Sequence, residues 1–163
     1  MSHTVHPFSH RLGIIRDWKS RWFAERGAYQ SFLKSDILLR EFLNKRFRGA
    51  YVSDVQIERS QKILRVIIRT SRPGVIIGRS GEGATKLRQD ILKFISKQGL
   101  AKHQELKIDV EEIRSPESDS AIVAQMIAEG LEKRLPFRRV MKQMVEKVMA
   151  NRDVKGVRIC LGG

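Results

Sequence analysis

Two glycines three residues apart, Gly78 and Gly81, bracket Arg79 and Ser80 in the stretch Val75-Ile76-Ile77-Gly78-Arg79-Ser80-Gly81-Glu82-Gly83. Glycine lets a backbone turn sharply and bring amide groups up to a sugar-phosphate chain with no Cβ in the way. A helix predicted to follow the loop adds the partial positive charge of its N-terminus, and Arg79 adds a full one. The chemistry that suits this spacing is phosphate binding, with Ile77, Gly78, Arg79, Ser80, Gly81 and Lys86 as the contacting residues. Gly78 and Gly83 also have the spacing of a Walker A loop. Yet Ala84-Thr85 stands where Lys-Ser/Thr is needed, and Lys86 comes two positions late. A nucleotide-dependent enzyme is the rival reading, and this substitution argues against it.

A second concentration of cations lies between 133 and 142: Lys133, Arg134, Arg138, Arg139 and Lys142, with no acid among them. Arg138 and Lys142 share a helix face with Arg139 adjacent, and Arg134 would join them but for Pro136. Like charges at this spacing repel, so a nearby anion is the natural compensation. A plain solvated face is the alternative. From Arg59 to Arg79 there are six further basic residues without an acid, Arg65, Arg69 and Arg72 among them. These too support anion binding, or else protect an edge strand from aggregation. Catalytic groupings are poor. His3, His6 and His10 sit in an N-terminal arm without a second ligand cluster. Glu111 and Glu112 are strand neighbours that point to opposite faces, and Cys160 has no histidine partner identifiable by spacing. Met126, Met141, Met144 and Met149 follow helical spacing and read as core. We expect neither metal nor cofactor, and no enzyme.

The composition agrees with a polyanionic partner. The 163-residue chain has 32 Lys plus Arg against 18 Asp plus Glu, a net charge of +14. That charge is spread out: 7 basic and 3 acidic residues over 1–40, 15 and 9 over 41–113, and 10 and 6 over 114–163. An extended contact surface fits this better than a single basic tail. A hydrophobic content of 41% is enough for a real core. The single cysteine favours a reducing, intracellular setting, and no apolar run approaches the roughly 18 residues that cross a bilayer. Residues 1–16 have the acid-free bias of a transit peptide, but Pro7 and Gly13 interrupt the amphipathic stretch such a peptide needs. A basic arm lying on a partner is expected instead.

The elements that must position these residues can be read from periodicity. Residues 1–34 read as an irregular basic arm with Trp18, Trp22 and Phe23 as anchors. Ser35 is the expected N-cap of a helix with Leu38, Leu39, Phe42, Leu43 and Phe47 inward, stopped by Gly49. Tyr51–Glu58 and Lys62–Arg69 alternate as an antiparallel hairpin. A brief apolar turn at 75–77 leads into the glycine loop and a helix over about 82–97, and Leu106, Ile108 and Val110 mark a third strand. An apolar groove of Ile76, Ile77, Val66 and Ile68 is expected behind the loop, open to bases. Beyond Arg114, Ser115 and Pro116 start a helix that runs to about Arg134. Pro136 starts another with Val140, Met141, Met144, Val145 and Val148 inward, and Val157–Leu161 reads as a strand. The fold class is α+β. The expected domains are the arm at 1–34, an RNA-binding domain at 35–113, and an α-α-β domain at 114–163 that reads as incomplete.

The order helix, strand, strand, short helix, Gly-x-x-Gly, helix, strand resembles the type II KH domain, whose loop clamps about four backbone nucleotides. A wider resemblance runs through Val5-His6-Pro7, Arg11-Leu12-Gly13, Trp18 to Ala24, Ile57-Glu58-Arg59, Arg72 to Gly78, Gly81-Glu82, Lys86-Leu87-Arg88 and Phe137 to Lys142. On these motifs the chain resembles the bacterial-type family of small-subunit ribosomal protein three. The resemblance implies a structural constituent of the subunit head that binds ribosomal RNA. It also implies proteins ten and fourteen as neighbours and no membrane partner. It further implies a place at the mRNA entrance channel, with that role falling to Arg138, Arg139 and Lys142. Arg65, Arg69, Arg72 and Arg134 would support RNA binding. The ribosome would be cytoplasmic, with an organellar one left open. Ser80 departs from the family's common basic residue, the stretch Lys97–Gln104 reads as an insertion, and the family continues with further strands. The alternative is a free KH-type RNA regulator or ribosome assembly factor, which would share the loop but need none of the N-terminal motifs.

Overall fold

Four strands form one mixed sheet: β1 (Ser20–Arg21), β2 (Val52–Arg59), β3 (Ile63–Thr70) and β4 (Glu105–Glu112), side by side in that order. The computed structural model describes residues 4–60, 62–98 and 105–162. β2 and β3 are antiparallel with Ile57 opposite Val66, while β3 and β4 run parallel with Val66 opposite Ile108. The period of two therefore puts Val55, Ile57, Leu64, Val66, Ile68 and Leu106 on one face. The α+β class and the expected hairpin are observed.

Among the described residues, six α-helices accompany the sheet: α1 (Pro7–His10), α2 (Arg26–Arg46), α3 (Pro73–Ile77), α4 (Glu82–Lys97), α5 (Ser120–Glu132) and α6 (Phe137–Met149). Leu39 and Leu43 of α2, with Leu87, Ile91 and Ile95 of α4, close over the apolar face of the sheet. Their spacing of four places each set on one helical stripe. Phe42 and Phe94 stack at 4.6 Å between ring centroids and join the two helices. The expected insertion up to Gln104 falls partly on 99–104, outside the described residues.

Several expectations require correction. The long helix begins at Arg26, not at Ser35, and Ser35 and Asp36 are buried in its middle. Its early turns have packing of their own, since Trp22 lies 5.3 Å from Tyr29 and 5.8 Å from Phe32 by ring centroids. Trp22 thus anchors the arm as expected, whereas Trp18 and Phe23 are exposed. The helix expected from Ser115 is divided: Pro116–Ser118 forms a 3₁₀ turn, and Asp119 caps α5 by accepting from the amides of Ala121 and Ile122. Finally, Val157–Leu161 forms no strand. A strand requires a ladder partner, and none lies alongside it among the described residues. Its alternation still operates, because Val157 and Ile159 pack onto a second core of Val123, Ile127, Val140 and Val148. Met144 is half-buried there, Met141 is half-buried without packing on that core, and Val145 and Met149, expected inward, face outward.

The arm is held by a buried charge. Asp36 accepts Arg59 Nε at 2.9 Å, Trp22 Nε1 at 2.7 Å and Ser20 Oγ at 3.1 Å. Arg59 also donates to Ser35 Oγ at 3.0 Å and lies over the Phe32 ring. Both charged side chains are nearly inaccessible, at 2% and 4% exposed. Farther along, α5 docks on the start of β2. Gln125 Nε2 donates to the Val52 carbonyl at 2.7 Å, Ser53 donates to Asp119, and the Tyr51 hydroxyl donates to Glu129.

Candidate nucleic-acid interface

The loop at 78–81 is built from left-handed backbone. Gly78, Ser80 and Gly81 have φ of 72°, 52° and 81°. Glycine accepts this freely, whereas Ser80 adopts it at a cost of roughly 1–2 kcal/mol. Strain of this size at an exposed loop is characteristic of sites where backbone must be presented to a ligand. No side chain caps α4, although its first amide, that of Glu82, already bonds the Arg79 carbonyl. Gly83 carries a constraint that motif spacing alone does not reveal. A Cβ there would lie 2.5 Å from the Ile76 carbonyl oxygen and 2.8 Å from that of Ile77, so α3 can abut α4 only across a glycine. Thr85, at the position of the Walker hydroxyl, donates back to the carbonyls of Gly81 and Glu82 at 3.0 Å each.

The expected apolar groove does not exist in the form anticipated. Val66, Ile68 and Ile76 are sealed in the core, because two helices cover that face of the sheet. Val75 and Ile77 are the apolar residues near the loop that remain exposed.

The cations divide into two groups. Arg65 pairs with Asp109 and with Glu58 at 3.2 Å, and Arg69 pairs with Glu111 at 3.5 Å. The hydrogen bond that Arg65 donates to Asp109, with the charge of that carboxylate, pushes the Arg65 pKa up. Arg59 is the buried partner of Asp36, and Arg72 lies 4.1 Å above the Tyr51 ring. Within the run from Arg59 to Arg79, Arg65 and Arg69 are thus paired with acids of neighbouring strands, and Arg59 with Asp36 of α2. By contrast, no ion pair among the described residues engages Arg79, Lys86, Arg134, Arg138, Arg139 or Lys142. All six are exposed. Arg138, Arg139 and Lys142 lie in the first two turns of α6, and Arg134 takes a left-handed conformation, φ 59°, in the turn that leads to it. Lys133 belongs elsewhere: it bonds Glu129 at 2.6 Å, and that hydrogen bond raises its pKa.

Comparison with known proteins places this geometry. The family model for the KH domain matches residues 38–118, which includes the loop and both helices beside it. Small ribosomal subunit protein uS3 of Nitrosococcus oceani is 39% identical over all 163 residues, which cover 70% of that protein. The chain belongs to the uS3 family. The protein of the same name from Hydrogenovibrio crunogenus is 43% identical over the whole chain, covering 68% of its own length. That of Xanthomonas oryzae is 44% identical over 91% of the chain and 58% of its own. The family is structural rather than enzymatic, which disposes of the nucleotide-hydrolysing alternative raised by Gly78 and Gly83. It also accounts for the exposed loop at 78–81, since the Gly-x-x-Gly loop of KH domains clamps about four backbone nucleotides.

Sequence reasoning found the loop and the basic helix. It missed Gly83 as a packing residue and Asp36 as the anchor of the arm. An acid flanked by Leu38, Leu39 and the aromatic Phe32 in one helical stretch was the available signal for Asp36, since an unpaired carboxylate would not be tolerated there.

Proposed function

We propose that this chain is a constituent of the small ribosomal subunit that binds ribosomal RNA through the 78–81 loop and mRNA through α6. One observation carries this reading: of the basic residues singled out in sequence, those on the loop and on α6 lack acidic partners, while those within the sheet have them. A protein that needed its cations only for solubility or fold would have no reason to sort them this way. Gly78, Arg79, Ser80 and Gly81, with Ile77 and Lys86 flanking, would meet consecutive phosphates of ribosomal RNA. Arg138, Arg139 and Lys142 would meet mRNA at the entrance channel, supported by Arg134. Arg72 would act next to the loop. Arg65 and Arg69 would contribute less, since an RNA phosphate must compete with Asp109, Glu58 and Glu111 for them. Other ribosomal proteins, ten and fourteen among them, would be neighbours, and the ribosome concerned would be cytoplasmic.

Sedimentation tests this directly. After a high-salt wash, the tagged chain is expected to migrate with small subunits and whole ribosomes. Recovery only in light fractions or immature particles would refute a structural role and favour a free KH-type binder or assembly factor. In isolation, neutralising about six phosphates gives a log–log salt slope for RNA binding of roughly −4 to −5. Arg79→Asp with Ser80→Asp is expected to weaken RNA binding with no loss of melting temperature, and equal binding would remove the loop from the interface.

A further inference from the structure

The turn between α5 and α6 presents apolar surface amid unpaired charge. Phe137 is 53% exposed and Leu135 is 45% exposed. Around them stand Arg134, Arg138, Arg139 and Lys142, none with an acidic partner among the described residues. The position follows from helix geometry. Val140, Met144 and Val148 form the inward stripe of α6, and Phe137 continues that stripe by one turn. There α5 has ended at Glu132, and the chain turns back through Arg134, whose amide bonds the Leu131 carbonyl at 2.8 Å. The ring therefore overhangs the core instead of entering it. Arg138 lies 5.7 Å from its centroid and holds one flank.

We infer that Phe137 is a stacking platform for an unpaired base of the RNA strand whose phosphates meet Arg138, Arg139 and Lys142. The inference rests on the mRNA role proposed for α6 and adds to it the class of nucleic acid recognised: single strand rather than duplex. Four like charges around an exposed ring call for a partner that is both anionic and flat and apolar, and a single strand supplies phosphates and base faces at one spacing. A duplex keeps its bases stacked on one another and offers this ring nothing. The helix supplies charge, and the ring supplies the selection of unpaired strand.

The test uses the full chain and three 12-nucleotide probes at fixed salt: oligoadenylate, the same strand with abasic sites, and an RNA duplex. Phe137→Leu keeps apolar packing and removes the ring. It is expected to weaken oligoadenylate binding about ten-fold. Its salt slope should stay unchanged because no phosphate contact is lost. Phe137→Tyr should restore affinity, and neither variant should alter binding of the abasic strand or the duplex. Arg138→Ala with Arg139→Ala should weaken all three probes and flatten the salt slope. If Phe137→Leu binds oligoadenylate like the parent while the arginine variant does not, stacking is refuted and the mRNA role of α6 stands. If Phe137→Leu weakens the abasic strand equally, the residue acts through the fold, and stacking is again refuted. Should neither variant change RNA binding, the RNA reading of α6 itself fails, and loss of binding to anionic phospholipid vesicles by both would assign this surface to a membrane.

Discussion

Replacing Asp36 by asparagine would remove the carboxylate that pairs with the buried Arg59 guanidinium. The carboxylate receives two donors from Arg59, one from Trp22 and one from Ser20, and its side chain is 4% exposed. Asparagine keeps the shape and one acceptor oxygen, yet places an amide N–H₂ against either the guanidinium or the indole N–H. Breaking a buried pair from one side typically costs about 3–5 kcal/mol, and retention of one acceptor puts Asp36→Asn near about 3. Against a total stability of about 5–15 kcal/mol that is a large fraction. For a chain of this length it lowers the melting temperature by about 6–12 °C. The assay is urea unfolding followed by tryptophan fluorescence, since Trp22 reports on the site itself. A second variant, Asp36→Leu with Arg59→Met, removes both charges and is expected to recover most of the loss, because apolar replacements of a buried pair are often nearly neutral. A cost below about 1 kcal/mol for Asp36→Asn, or a double variant as unstable as the two single losses added, would refute the reasoning.

Gly83→Ala is expected to lose about 1–3 kcal/mol and to weaken RNA binding together with it, because the added Cβ meets backbone oxygens of α3 that cannot swing aside. Thermal melting alongside an RNA titration checks this, and an unaffected melt would mean α3 moves without cost. Arg65→Ala should weaken RNA binding far less than Arg79→Ala, as its guanidinium is already shared between Asp109 and Glu58. Competitive binding of the two variants to one RNA decides it, and equal losses would show that the sheet arginines change partners. The contact of α5 with Tyr51 should be strongest between about pH 4.5 and 10. Hydrogen bonds from Lys133 and Tyr51 hold the Glu129 carboxyl below its ordinary 4.5, so its contribution is complete above that value and disappears as pH falls through the lowered one. At the other end, the hydrogen bond to Glu129 raises Tyr51 above 10.0, so its contribution is complete below that pH and disappears as pH climbs through the raised value. An NMR titration that places the Glu129 carboxyl at or above 4.5 would remove the acid-side prediction.

What the sequence makes legible here is whatever is local. The α4 boundaries follow from the glycines before it and the spacing of Leu87, Ile91 and Ile95, and both hairpin strands fall within one residue of their alternation. Such features depend on neighbours within a turn or two. The start of α2 was not legible, because the turns from Arg26 onward are supported by Trp22 packing against Tyr29 and Phe32, a contact no periodicity announces. Val157–Leu161 fails in the opposite sense. Its alternation is that of a strand, but pairing is a property of two segments, and the fold brings none beside it among the described residues.

Charge shows the same division and matters most for function. In sequence, Arg65 and Arg69 are as conspicuous as Arg138 and Arg139: two basic residues in an acid-free run. The difference between them is set by Asp109 and Glu111, some forty residues away, which the parallel register of β3 with β4 brings to within an ion pair. Among the described residues no ion pair reaches the first turns of α6, and α5 gives its acids, Glu129 and Glu132, to Lys133 and Arg48 instead. Net charge therefore indicates that a polyanion is bound, but only the strand register and the helix ends decide which cations are free to bind it. Among those singled out by their spacing, Arg79 stands at a glycine loop and Arg138 and Arg139 at a helix start, the places where backbone and side chain could together meet a phosphate.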